Sequence, residues 1–335
     1  RLYDAWLADL QAADADLAAR YQAYRDSERD DAPDGERPPK LNPLALSNLL
    51  LEVAPTVSRF LQRLFPGSVA PLSAVQAQTT EDMHICRFKD EFLKRRASKR
   101  KIDPAQVATI LAAGSALCDR LGIPAEGRCD ELTLAKAAGA LLDREEALKG
   151  SRTAEDPELV AVRADLDTYG DWIMARKDEL LRHHHFLSLH FPHTLDHQNL
   201  VPLRRPKTDL PELFVGHEHE RRHRDGFALT DRRGSAVEVE REVDYCLYCH
   251  DRDKDSCSKG LRDNKTKAIK KNPLGVNLDG CPLGEKISEM HTMRREGDSI
   301  ASLALVCIDN PMLPGTGHRI CNDCMKACVF QKQQP

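Results

Sequence analysis

Eleven cysteines are distributed unevenly along this chain, and that unevenness is its first sign of chemistry. Cys86, Cys118 and Cys129 are scattered through the first 245 residues, whereas Cys246, Cys249, Cys257, Cys281, Cys307, Cys321, Cys324 and Cys328 crowd the last 90. A disulfide framework belongs to short exported chains, so a terminal block of thiols in a long chain points to metal. The block opens with "YCLYCHDRDKDSC", Tyr245 to Cys257, whose Cys-x2-Cys-His suits three chemistries. A covalently attached haem would take Cys246, Cys249 and His250 and leave the other thiols without a role. A four-thiolate zinc site could pair Cys246 and Cys249 with Cys321 and Cys324, leaving Cys257, Cys281 and Cys328 over. Iron–sulfur clusters use the whole block. Bacterial two-cluster ferredoxins read C-x2-C-x2-C-x3-C-P, with the Cys before Pro crossing to the other cluster. Here Cys246, Cys249 and Cys257 would be the first three ligands and Cys281, before Pro282, the crossing one. Cys321, Cys324 and Cys328 would close both sets. Cys324 and Cys328 are one helical turn apart, which predicts that both face one cavity.

The elements that must carry these thiols are helical. "LYDAWLADLQAADADLAARYQAY" sets Leu2, Trp6, Leu10, Leu17 and Tyr21 at helical spacing, predicting an N-terminal helix over 1–30. Charge, Pro and Gly mark a linker at 31–43. A helical domain over 44–205 includes "NLLLEVAPTVSRFLQRLF" and "HICRFKDEFLKRRASKRK", and "DPAQVATILAAGSALCDRLG" begins with an Asp–Pro start and ends at Gly. A connector spans 206–243, and the thiol block fills 244–335. The fold class expected is mainly α. The first strand signal is the alternation in "SAVEVEREV", residues 235–243. Cys86, Cys118 and Cys129 stand alone in helical surroundings, as core cysteines do. The histidine run from His183 to His197 lacks Cys or carboxylates at fixed offsets and reads as structural or solvated rather than metal-binding. The basic run Lys94 to Lys101 reads as a solvated helix end.

Composition bounds the rest. With 335 residues, 30% charged, 5% aromatic and a net charge of −4, the sequence predicts two or three domains and does not favour nucleic acid as a partner. No apolar run approaches the roughly 20 residues of a membrane helix, and no signal peptide is visible, which together predict a cytoplasmic protein without a membrane span.

"GCPLGEKISEM" followed by "GDSIASLALVCIDNPMLPGTGHRICNDCMKAC" resembles the N-terminal iron–sulfur domain of the glutamate synthase small subunit and of dihydropyrimidine dehydrogenase. The shared elements are Cys-Pro-Leu-Gly with a helix, Gly-Asp opening a second helix, Asn310-Pro311, and Thr316-Gly317-His318-Arg319-Ile320-Cys321 before the cysteine knot. Together with "RHRDGFALTD", Arg222 to Asp231, the chain resembles long bacterial FAD-dependent pyridine-nucleotide oxidoreductases. The resemblance implies an α-helical ferredoxin-like domain with two [4Fe–4S] clusters. Cys246, Cys249, Cys257 and Cys328 would hold one, and Cys281, Cys321 and Cys324 the other. In that family the remaining ligand is often a non-Cys side chain beyond the last Cys. The sequence runs seven residues past Cys328, so Cys307 is a candidate replacement, a core position beside Ile300 and Leu303 being its other reading. The 23 residues between Cys257 and Cys281 are an extra, basic insert that could dock a partner or favour a reduced cluster.

The function implied is an electron-transfer module of an NAD(P)H-dependent FAD oxidoreductase, passing single electrons between flavin and an acceptor protein. No Gly-x-Gly-x-x-Gly follows a strand, so FAD and NAD(P)H are expected on an adjoining domain or separate subunit. The alternative is a scaffold or assembly subunit whose clusters are structural.

Overall fold

The computed structural model describes every residue except 30–37, 151–152, 154, 192, 201–202, 217–225, 228–233, 253, 317–320 and 334–335. Most of the expected linker, most of the Arg222–Asp231 run and Gly317–Ile320 therefore lie outside the described residues. The fold is mainly α, and its only sheet among the described residues pairs β1 (His193–Thr194) with β2 (Lys332–Gln333).

The N-terminal segment is two helices rather than the one expected. α1 (Leu2–Ala13) ends at Asp14, whose extended backbone breaks the helix while its carboxylate accepts the Leu17 N–H and caps α2 (Ala15–Ser27). α3 (Pro43–Leu64) starts under the Asn42 side chain and packs Leu49, Val53 and Phe60 against Trp6, Leu10 and Leu17. It is the one helix among the described residues long and apolar enough to cross a membrane by length and composition, at a mean hydropathy of 1.2. Glu52, Arg59 and Arg63 interrupt its apolar run. Here its apolar residues are spent on helix packing.

α4 (Val69–Arg87) widens into a π-helical stretch, Phe88–Ala97, followed by α5 (Val107–Arg120), α6 (Glu131–Lys149), α7 (Pro157–Ala175) and α8 (Lys177–His183). Their core is a column of rings. Phe88 stacks on Phe92 with centroids 5.6 Å apart, Phe92 meets Tyr169, and Tyr169 stacks on Trp172. Gly114 in α5 leaves the space that the Trp172 indole fills, since a Cβ there would lie 2.1 Å from its Cγ. Cys86 and Cys118 are buried in this region as core residues. The basic run is engaged in ion pairs: Lys94 pairs with Asp90, Arg96 with Glu145, and Arg100 with Asp167 and Asp171.

Residues 235–243, read as a strand signal, form a helix instead. Ser235 and Glu238 make a reciprocal capping box at the start of α9 (Ala236–Asp244), and this local pairing overrides the Val–Glu alternation. Beyond it come α10 (Ser256–Lys259), α11 (Ile287–Arg295), α12 (Ser299–Asp309), α13 (Leu313–Thr316) and α14 (Asp323–Lys326). Packing continues across residue 244: Leu50 and Ala54 of α3 share a core with Met293, Ala301 and Leu305 of α11 and α12. A buried ion pair, Arg294–Glu240 at 2.7 Å, ties α11 to α9, and Arg294 also donates to Thr79 of α4.

Candidate metal centre

Five of the C-terminal thiols, Cys246, Cys249, Cys257, Cys324 and Cys328, line one cavity of 590 Å³. Its remaining wall is largely apolar, with Leu247, Ile287, Met290 and Val306 among the lining residues. Tyr245 stacks on Phe330 with centroids 4.5 Å apart, closing the side next to Cys246 and Cys328.

The local fold aims each sulfur. Cys246 follows directly on α9, its N–H bonded to the Val243 carbonyl at 3.1 Å. Tyr248 takes a left-handed φ of 49°, rare for an aromatic residue, and its N–H donates to Cys246 Sγ at 3.3 Å. This bend brings Cys249 round to the same side. Cys257 lies in α10, where its thiol donates to the buried Asp255 carboxylate at 3.0 Å. α14, carrying Cys324, packs on α10, and Cys328 follows one turn later. Cys324 and Cys328 do share one cavity, as their spacing predicts.

Cys281 reaches this region through the insert, which is an ordered ladder rather than a loose loop. Bridges Arg262–Ile269 and Lys271–Asn277 fold it back on itself. Gly260 and Gly280, with φ of 86° and 84°, turn the chain at its two ends. The result is a hydrogen bond from the Cys281 N–H to the Cys257 carbonyl at 2.7 Å. Cys281 itself lines a neighbouring cavity with Asp323 and Lys326. Cys321 is exposed, and Cys307 on α12 lines neither cavity.

The buried thiols differ in their charged neighbours. Burial pushes Cys246 up to about 11, against the Tyr248 N–H, and neighbouring Cys249 and Cys328 add to the rise. Cys257 is pushed up by burial, then by Asp255, Cys246 and Cys328. Cys249 rises through burial, opposed by Arg252 and reinforced by Asp255 and Cys328. Cys324 answers to different neighbours: after burial, the groups raising it are Cys281, Cys321 and the Glu285 carboxylate. Cys328 thus raises Cys246, Cys249 and Cys257, whereas Cys281 and Cys321 raise Cys324.

Cys246, Cys249, Cys257, Cys324 and Cys328, all raised by burial, favour the protonated form. Four sulfurs around one zinc at about 2.3 Å would stand roughly 3.8 Å apart. No three ligand atoms in the block approach within 4.8 Å of one another among the described residues. A haem attachment would need a free imidazole on His250. That ring is buried, its Nδ1 2.7 Å from Ser288 Oγ and its Nε2 3.0 Å from Asp251.

Three residues of the site escape sequence reasoning: Asp255, Glu285 and His291. Asp255 and Glu285 look like ordinary surface carboxylates in the sequence. His291 lines the cavity half-buried, with Nδ1 unpartnered and its pKa pushed down to about 4 by burial. Nothing in "SEMHTM" marks it.

No family model matches the chain, and no solved structure does. Two uncharacterised proteins of Rickettsia prowazekii (strain Madrid E) are similar to parts of it. One is 35% identical over 85 residues, covering 24% of this chain and 29% of that protein. The other is 71% identical over 24 residues, covering 7% of this chain and 3% of that protein. The chain thus spans less than a third of either relative.

Proposed function

We propose that residues 244–335 hold two [4Fe–4S] clusters and relay single electrons between a flavin on an adjoining domain or subunit and an acceptor protein, as in NAD(P)H-dependent flavoenzymes related to the glutamate synthase small subunit. The observation that supports this reading is geometric: Cys246, Cys249, Cys257, Cys324 and Cys328 line one cavity, while Cys281, hydrogen-bonded to Cys257, lines the neighbouring one. The division into two ligand sets is the one that the family resemblance implies. Cys246, Cys249, Cys257 and Cys328 hold one group. Cys281, Cys321 and Cys324 hold the other, with the Glu285 carboxylate beside Cys324 as the non-thiol donor. Cys307 is not needed.

When bound, such clusters supply one-electron transfer at potentials set by charge, hydrogen bonds and solvent exposure. The chain's own residues set those conditions. The apolar wall and the Tyr245–Phe330 stack line the cavity of the first set. Asp255, which accepts the Cys257 S–H at 3.0 Å, would be placed to receive that proton if Cys257 ligates. Arg252, 3.8 Å from Cys249 Sγ, offsets thiolate charge. Hydride chemistry with NAD(P)H falls to the flavin partner, because a nicotinamide delivers two electrons together. Thiolate sites of this kind belong in a reducing compartment such as the cytoplasm.

The test is anaerobic purification with iron and acid-labile sulfide analysis. About eight of each per chain are expected, together with reversible reduction of the visible absorbance once a family-type FAD domain and NAD(P)H are supplied. Stoichiometric zinc without sulfide in this block overturns the metal assignment. Clusters that no reductant touches favour the structural-scaffold alternative.

A further inference from the structure

The histidine run His183–His185 has no cysteine or carboxylate at a fixed sequence offset, but the fold supplies both from elsewhere. Cys129 closes the short turn Glu126–Cys129, Glu179 lies in the first turn of α8, and His184 immediately follows α8. One ligand atom from each of these three residues lies within 4.8 Å of the others. The arrangement is held from both sides. Glu131 accepts the N–H groups of Leu187 and Ser188 at 3.0 and 2.6 Å, and Phe186 and Leu189 are buried in the core, so the turn carrying His184 is pinned. Glu179 is aligned by Arg176, whose guanidinium donates to both carboxylate oxygens and, at 3.2 Å, to Cys129 Sγ. Arg176 is itself anchored over the Trp172 ring and on the Arg128 carbonyl.

We propose that Cys129, Glu179 and His184 bind one zinc-class divalent ion, separate from the C-terminal thiols, with a fourth coordination position open to water. The donor chemistry selects this class: one sulfur, one imidazole nitrogen and one carboxylate oxygen suit a borderline-soft ion, while magnesium or calcium would want oxygen alone. Charge balances as well. A dication with a thiolate and a carboxylate is neutral, and the Cys129 proton leaves to solvent on binding. Arg176 then stays beside the site as a hydrogen-bond donor to sulfur and carboxylate, the kind of outer contact that orients ligands. The open position follows from exposure, since the Glu179 side chain is 45% and the His184 side chain 32% accessible.

The experiment loads the full chain, with its iron in place, with zinc chloride and removes excess by gel filtration. Zinc content and the zinc X-ray absorption edge are then measured. The expected result is one zinc per chain in a shell of one sulfur and light N or O atoms. C129S and H184A should each lose that zinc while retaining iron and sulfide. H184A changes an exposed side chain, so it keeps the test valid if C129S disturbs the helices by circular dichroism. No zinc retained, a shell of sulfur only, or undiminished one-sulfur zinc in H184A would each overturn the proposal.

Discussion

Cys324 and Cys328 line one cavity four residues apart, yet Cys324 is acted on by Cys281 and Cys321 whereas Cys328 acts on Cys246, Cys249 and Cys257. If these contacts reflect ligation, C328S should remove the same electron paramagnetic resonance signal as C249S, and C324S the same one as C321S. A C328S spectrum matching C324S would mean that the sets are drawn wrongly. Protons give a second residue-scale expectation. Cys246 starts protonated, its pKa pushed up to about 11, so loading must release its proton and tighten as pH rises. Iron titrations between about pH 6.5 and 8.5 should show apparent affinity climbing with pH; a flat profile would mean the thiols are already ionised. The metal-free fold runs the other way. A raised thiol pKa stabilises it below the ordinary value of 9.0, and that contribution is lost as pH rises toward about 11. Much at this scale is legible in the sequence, because thiol spacing is a property of the chain itself. The Cys129–Glu179–His184 group is not, because its members are brought together only by the packing of α8 and by Glu131.

Among the elements, the basic insert positions ligands by closing a turn. A Cβ on Gly280 would lie 2.6 Å from the Gly260 nitrogen and 3.0 Å from the Cys257 carbonyl oxygen, at a φ that side chains rarely adopt. G280A should therefore cost roughly 1–3 kcal/mol locally and displace Cys281. Its measured consequence is the loss of about four irons with N-terminal helicity unchanged by circular dichroism. Full iron content in G280A would mean that the Cys257–Cys281 hydrogen bond does not set the ligand position. Sequence reasoning counted the insert as extra length, since bridges such as Arg262–Ile269 leave no hydrophobic period to read. The strand signal at residues 235–243 failed for a related reason. Val–Glu alternation satisfies a strand and also one side of a short helix, and the Ser235–Glu238 box decides between them. At Asp14 a single capping residue divides what periodicity reads as one helix.

At the scale of the whole molecule, the helical part and the thiol block are not stacked beads. The ring column through Phe88, Phe92, Tyr169 and Trp172 belongs to a core whose buried members run from Phe88 to Leu189. Removing metal should leave that core folded. α11 and α12 should also persist, because Met293, Ala301 and Leu305 rest on α3. Hydrogen exchange after chelation should speed up at residues 245–286 and 321–333 while α11 and α12 stay protected. Uniform exchange through α12 would show that metal, not α3, holds those helices. This shared use of α3 bears on how such a chain could be built or rebuilt. A metal-binding segment that supplied all of its own interior could be cut out and grafted between unrelated proteins as an interchangeable cassette. Here Leu50 and Ala54 belong to the interior of the segment that begins almost 200 residues later. A recombination or cloning junction near residue 244 would expose Met293, Ala301 and Leu305 to water. Any functional transplant must carry α3 along.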